Sequence, residues 1–208
     1  MEFNKLIHKR RACHHFIPNR EVTDEDFKKI MELVRYTPSG YNAQPWEFVL
    51  VRDQEQLKKL QEIAYEQEHL SEASAVVIVL GDTVIGRHAE RIMKEWLEYG
   101  YVDELRMKNY LDSMKRERRE EKTREMALRN SALAAMMFIL AAEDLGFATC
   151  PMMGFRQLEL YKLLEIPQDR IITMMIALGH ADRSKFLPQL PRKSVEELSH
   201  KEKFGESF

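Results

Sequence analysis

The sequence predicts a single α+β domain, on three observations. Two short runs, residues 75–81 (AVVIVLG) and 171–179 (IITMMIALG), are apolar throughout, as strands buried on both faces are. Residues 87–145 carry no strand pattern and are read as helices. No internal repeat or low-complexity linker divides the 208 residues, a length that suits one domain.

Residues 3–10 (FNKLIHKR) predict a short helix ending in basic residues. A second helix follows Thr23, which can serve as its N-cap, with Phe27, Ile30, Met31 and Val34 on one face. It stops at Pro38, and residues 46–51 (WEFVLV) alternate as a strand does. Leu57, Leu60, Ile63 and Ala64 form the stripe of an amphipathic helix. The helical region breaks near Gly100 and ends at Gly146. Its last part, 126–145, is almost wholly apolar, so it belongs in a core or a subunit interface. Residues 147–155 (FATCPMMGF) predict a strand running into a turn, and RQLELYKLLEI a helix ended by Pro167. From Asp182 onward the chain is charged and lacks sustained periodicity, as a disordered tail or an arm lying on another surface would.

The formal net charge of −2 gives no global field toward nucleic acid or anionic lipid. Cys13 and Cys150 form no CxxC pattern, which points to a reducing compartment. The first residues hold no signal-peptide stretch, and the apolar run 132–142 is shorter than the ~20 residues of a membrane span. A cytoplasmic protein is expected. The tract KRERREEK (115–122) alternates in sign and suits a solvated helix face.

The glycine-rich dinucleotide and P-loop cradles are absent, as is the GxSxG elbow. Glu66–His69 and Glu197–His200 each match E-x-x-H, a spacing used in di-iron bundles that also need two more glutamates from other long helices. The second pair lies in the proline-flanked tail, and chance matches are expected among so many glutamates. What remains suits a phosphorylated, planar, electron-poor ligand. Arg10 and Arg11 stand where the first helix ends, and Arg192 and Lys193 lie far away in sequence; guanidinium forks from two sides could hold one phosphate. The stretch TPSGYNAQPW (37–46) places amides and an indole where a plain turn needs neither, although Trp46 could equally begin a core strand. PMMGF (151–155) offers backbone N–H groups beside a glycine.

With these segments in view, the chain resembles the FMN-dependent nitroreductase family from end to end. KRRACHHF matches its R-R-S-x-R-x-F element, TPSGYNAQPWEFVLV its A-P-S-S-x-N-x-Q-P-W-x-F segment, and YEQEHLSEASAVVIV its N-Q-x-x-V-x-x-A-S segment. GFATCPMMGF matches G-x-x-(T/S)-x-P-(I/M)-x-G-F, and LPRKSVEEL its closing R-K element, so five motifs fall in order over 9–198. The resemblance implies a three-layer sandwich, a central mixed sheet flanked by helices, in an intertwined homodimer. It implies one domain over 1–208, with 85–125 as a helical substrate lid and 185–208 as an arm wrapping the partner. FMN is implied as cofactor, NADH or NADPH as electron donor, and a nitroaromatic, quinone or similar small molecule as acceptor. No side chain need act as acid or base.

By the same resemblance Arg10, Arg11 and Ala12 would hold the ribityl phosphate, joined by Arg192 and Lys193. His14 and Gln67 would lie near the pyrimidine edge of the ring. The backbone N–H groups of Met153 and Gly154 would face flavin N5, with Pro151 also at the cofactor. Pro38, Ser39, Gly40 and Asn42 would reach across the interface to the partner's flavin, with Gln44 bracing their loop. Three positions depart from the pattern: Ala12 replaces a serine, His14 a basic residue, and Glu66 an asparagine. Sister activities on the same fold (reductive dehalogenation, enone reduction, flavin breakdown) and a non-catalytic flavin sensor remain open alternatives.

Overall fold

The computed structural model describes residues 2–84, 86–116 and 119–207. Ile85 of the expected lid, Glu117 and Arg118 of the charged tract, and Met1 and Phe208 at the ends of the expected domain and arm lie outside the described residues.

Helix α1 (Phe3–Lys9) leads to α2 (Asp24–Val34), which Thr23 caps reciprocally with Asp26. Strand β1 (Trp46–Val51), helix α3 (Gln54–Ile63), the single turn α4 (His69–Glu72) and strand β2 (Ala75–Asp82) follow. The expected helical region is three helices, α5 (Ala89–Glu98), α6 (Glu104–Lys115) and α7 (Glu120–Asp144). Strand β3 (Ala148–Met152), helix α8 (Gln157–Leu163) and strand β4 (Arg170–Gly179) complete the body. The tail holds a 3-10 turn at Arg183–Lys185 and the short capped helix α9 (Val195–Leu198), and is otherwise irregular and largely exposed.

The strands order β1-β2-β4-β3, and every ladder is antiparallel. Among the described residues, parallel pairing enters only as the bridge between Ala12 and Thr149, so the mixed character expected of the sheet is confined to that edge. Side chains alternate across β2: Val76, Ile78 and Leu80 join one core with α3, α4 and α8, while Ala75, Val77 and Val79 join another with α2 and α7. The result is the three-layer sandwich, helices on both faces of one sheet. Fully burying each such Val, Ile or Leu contributes roughly 1.5–3 kcal/mol. A bulge in β4 leaves Thr173 as the extra residue between the Val79–Met174 and Leu80–Ile172 pairs, and its hydroxyl meets Ser131 Oγ of α7 at 2.6 Å.

Helix α7 has the length and apolarity of a membrane span, with a mean hydropathy of 1.3 over its most apolar window, more than the run 132–142 had led us to expect. Its buried residues Ala127, Ser131, Ala134, Ala135, Phe138 and Ala142 recur at helical spacing and pack on the sheet and α2. The small residues let the helix approach closely: a Cβ on Gly81 of β2 would lie 2.9 Å from the Ala127 carbonyl oxygen and 3.0 Å from Ser131 Oγ. Gly81→Val is therefore expected to destabilise the fold by about 2–3 kcal/mol through overpacking. A urea midpoint equal to that of the unmodified protein would show that α7 can retreat without cost.

Candidate functional site

After α1 ends, residues 11–17 run extended along the sheet edge. Cys13 N donates to Thr149 O (2.9 Å), Ile17 N to His180 O (2.7 Å), and Asp182 N to His15 O (2.9 Å). This stitching buries Cys13 and Phe16 and leaves Ala12 and His14 exposed on the opposite side. Residues 185–192 cross over that side, enclosing a cavity of about 450 Å³ lined by Arg11, Ala12, His14, Phe186, Leu190 and Arg192, among others. The volume falls in the range of roughly 300–1,000 Å³ typical of small-ligand sites. Arg11 holds the crossing segment: its Nη2 donates to Leu187 O (2.8 Å) and Pro188 O (3.3 Å), and its guanidinium lies over the Phe186 ring.

The charge balance distinguishes this cavity. Arg52, Arg87, Arg170 and Arg183 each have a carboxylate partner. Among the described residues, neither Arg11 nor Arg192 has one, and Arg192 Nη1 bonds only to the nearby carbonyls of Leu190 and Pro191. Two guanidiniums without carboxylates, beside apolar side chains, suit a ligand with an anionic end and a flat apolar body. Arg10, the residue capping α1, and Lys193 are not among the lining residues.

A second group adjoins the first through His14. Its ring packs edge-on against buried His69 at 5.0 Å between centroids, and His69 Nε2 lies 3.1 Å from Met152 Sδ. Burial, and then the neighbouring His14, hold the His69 pKa below the usual histidine range. The side chain of Gln67 donates to Gly154 O (3.3 Å), tying the segment before α4 to the turn after β3. Pro151 is not in that turn but in β3, paired with Ile176; it is exposed, as are Met153, at 80%, and Gly154 of the turn. A Cβ on Gly154 would meet nothing within 4 Å.

The third group lies apart. Pro38, Ser39, Gly40 and Asn42 do not line the arginine cavity. Their loop sits on α7, where Gly40 N donates to Asn130 Oδ1 (3.2 Å), and Ser39 Oγ accepts from Gln44 N (2.9 Å). Gln44 Nε2 in turn reaches Asn42 O and Oδ1, both at 3.3 Å, the bracing expected of it. Tyr41, Asn42 and Gln44 all have left-handed backbone (φ 58°, 53° and 48°), an uncommon concentration for non-glycine residues. Such conformations gather at binding sites, where surrounding structure holds them. Tyr41 packs against Trp96 of α5 and Tyr110 of α6. Asn42, Glu95, Trp96, Tyr99 and Tyr101 line an aromatic recess of about 310 Å³.

Neither E-x-x-H pair forms a helical metal site. Glu66 precedes α4 with a left-handed backbone, and α9 ends before His200. Three features escaped the sequence reading: the aromatic recess, the proximity of His69 to β3, and a buried ion cluster around Arg170. Each joins residues from distant parts of the chain: Asn42 with 95–101 in the recess, His69 with Met152, and Arg170 with Glu47 and Asp82.

A three-layer α+β sandwich with a carboxylate-free arginine cavity at its sheet edge belongs among the cofactor-binding sandwiches. The chain is, specifically, a member of the nitroreductase family: the family model described as "Nitroreductase family" matches residues 7–180. It is 33% identical over 200 residues to the Bacillus subtilis protein named "Putative NAD(P)H nitroreductase MhqN", covering 95% of this chain and 97% of that one. A crystal structure of the B. subtilis protein described as "putative nitroreductase ydfN" superposes with a TM-score of 0.91 at 32% identity, over 96% and 98% of the two chains. An Exiguobacterium sibiricum protein solved in complex with FMN shares the fold, with a TM-score of 0.86 at 23% identity and 97% coverage of both chains.

Proposed function

We propose that this protein is an FMN-dependent NAD(P)H oxidoreductase that acts as a homodimer on small electrophilic acceptors such as nitroaromatics and quinones. The observation that carries this reading is the pair Arg11 and Arg192, two guanidiniums without carboxylates that share one cavity. The family membership and the NAD(P)H nitroreductase name of its relative support it. The residues present fit FMN: cations for the phosphate, and His14 with the apolar wall of residues 186–190 for the ring. When bound, FMN supplies hydride acceptance from NAD(P)H and electron delivery to the acceptor.

The chain's own residues bind and orient. Arg11 and Arg192 neutralise the phosphate, with the backbone at Ala12 beside them and Arg10 and Lys193 contributing charge from outside the cavity wall. His14 and Gln67 face the pyrimidine edge, and Gln67 also fixes the turn at Gly154, whose neighbour Met153 presents its N–H. Trp96, Tyr99 and Tyr101 give the lid flat surfaces against which a planar acceptor can stack and exclude water.

Dimerisation accounts for two otherwise isolated features. The braced loop of Pro38, Ser39, Gly40 and Asn42 stands away from its own arginine cavity, as a loop completing a partner's site would. Leu187, Leu190, Val195, Leu198 and Phe204 of the tail are exposed, and an apolar groove of about 430 Å³ lies between Phe3, Leu33, Tyr36 and Met137. An arm exchanged between subunits would cover both. The two buried free cysteines suit the cytoplasm.

The test is the flavin itself. The purified protein should release one FMN per chain on denaturation, and its bound flavin should bleach under anaerobic NADH or NADPH. Arg11→Ala should weaken FMN binding about ten- to a hundredfold, the cost of a lost charge-assisted fork. FAD in place of FMN, or an unchanged dissociation constant, would reject this reading.

A further inference from the structure

Behind the arginine cavity lies a cluster of which the flavin reading uses only His14. Ring nitrogens of His14 and His69 and the sulfur of Cys150 all lie within 4.8 Å of one another. They come from three elements: the extended segment after α1, the first residue of α4, and the middle of β3. Met152, two residues along the same face of β3, adds a thioether 3.1 Å from His69 Nε2. His69 and Cys150 are buried and His14 is exposed, so one side is walled by protein and the other is open.

The donors are soft. Two imidazoles, a thiol and a thioether converge with no carboxylate in the set. For a merely structural group, buried His69 is poorly served, since a thioether is a weak hydrogen-bond acceptor. Among the described residues, Cys150 Sγ has no hydrogen-bond partner. Burial, and then nearby Cys13, push the Cys150 thiol up to about 11, so at neutral pH it holds its proton until a thiophilic ion displaces it.

We propose that His14, His69 and Cys150, with Met152 as a weak fourth ligand, bind one copper(I) ion. As the Cu–S bond forms, the thiol proton leaves to solvent and no electron is transferred. Imidazole and thiolate nitrogens and sulfurs around one ion stand about 3.5 Å apart at bond lengths of about 2.0–2.3 Å. The present separations, up to 4.8 Å, exceed that value; rotation of the exposed His14 brings its nitrogen nearer, and the buried His69 and Cys150 side chains must draw together on the ion. Thiolate and imidazole serve copper(I) and zinc(II) alike, so the Met152 thioether is what favours copper(I), while a hard cation would require oxygen donors that this set lacks. Because His14 also lines the arginine cavity, an occupied ion would fix one wall of that cavity.

The experiment is an anaerobic titration of the purified full-length protein with copper(I), in competition with an excess of a colorimetric copper(I) chelator. One copper(I) per chain should be retained, and Cys13→Ser should retain it as well. Cys150→Ser and His14→Ala should each weaken retention at least tenfold; the second alters an exposed residue, so it decides the matter if the first fails to fold. Met152→Leu should weaken copper(I) by a smaller factor and leave zinc(II) unchanged. X-ray absorption should show copper–sulfur scattering that Cys150→Ser abolishes. No retained copper, retention indifferent to both His14→Ala and Cys150→Ser, or tighter binding of zinc(II) than of copper(I), would each overturn the assignment.

Discussion

Arg170→Met is expected to lower the stability of the fold by about 3 kcal/mol, the usual cost of breaking a buried pair by removing one partner. Arg170 opens β4 directly opposite Asp82, the last residue of β2. Its Nε and Nη2 clasp the Glu47 carboxylate of β1 at 2.7 and 2.9 Å, while Nη1 lies 3.0 Å from Asp169 and 3.4 Å from Asp82. Asp82 is 5% exposed, so without Arg170 its charge keeps one cation, Arg87, whose Nε is 2.7 Å away, and the Val84 N–H at 2.8 Å. Those remaining partners keep the cost from being larger. Asp82→Asn combined with Arg170→Met should recover part of the loss, because it removes the stranded charge rather than a contact. The acid limb provides a second reading of the same cluster. The hydrogen bonds from Arg170, opposed by partial burial, hold the Glu47 carboxyl below the usual carboxylate range. A depressed folded pKa stabilises above the ordinary carboxylate value of about 4.3 and the effect is lost as pH falls through the lower folded value. Urea midpoints of the two proteins should therefore differ most near pH 7, and the Glu47 share of the difference should fade as the pH drops below about 4. Glu47 is half exposed, so the larger part of the pH 7 difference is assigned to Asp82. Equal midpoints at pH 7 would mean the cluster is ornamental to the fold.

That cluster also marks the limit of sequence reading. The four strands were legible because runs such as AVVIVLG admit few other structures, whereas the layers came only from the family resemblance. Nothing in the sequence says that Glu47, Asp82 and Arg170 meet, since isolated charges at strand ends look like solvent-facing residues until the register is known. The stretch TPSGYNAQPW misleads differently. Its glycine suggests where the chain turns left-handed, yet the left-handed residues are Tyr41, Asn42 and Gln44. The constraint comes from side-chain bracing by Ser39, Gln44 and Asn130, which is tertiary. Arg11 and Arg192 illustrate a third case: each looks like an ordinary surface residue, and only the crossing of residues 185–192 over the sheet edge makes them one site.

The turn after β3 allows cofactor chemistry to be separated from folding with three substitutions. If the N–H of Met153 is what faces flavin N5, an amide hydrogen is required there and a thioether is not. Met153→Ala keeps that hydrogen and should leave anaerobic reduction by NAD(P)H within about a few-fold of the unmodified rate, since the side chain is 80% exposed and packs on little. Met153→Pro removes the donor and fixes φ, and should lose either the flavin or its reduction. Gly154→Val supplies the discriminating control. A Cβ there meets no atom of the chain within 4 Å, and the backbone is not in the left-handed region that only glycine favours, so folding should be unaffected. Whatever Gly154→Val loses must then be lost to crowding of the ligand. The expected pattern is a folded protein in all three variants by circular dichroism, near-normal flavin content in Met153→Ala, depleted flavin in Gly154→Val, and either depleted flavin or flavin that NAD(P)H no longer reduces in Met153→Pro. Should Met153→Ala be as damaging as Met153→Pro, the thioether rather than the amide serves the site. Should Gly154→Val bind and reduce FMN normally, the ring lies elsewhere, and the cavity between Arg11 and Arg192 must orient it along a different wall.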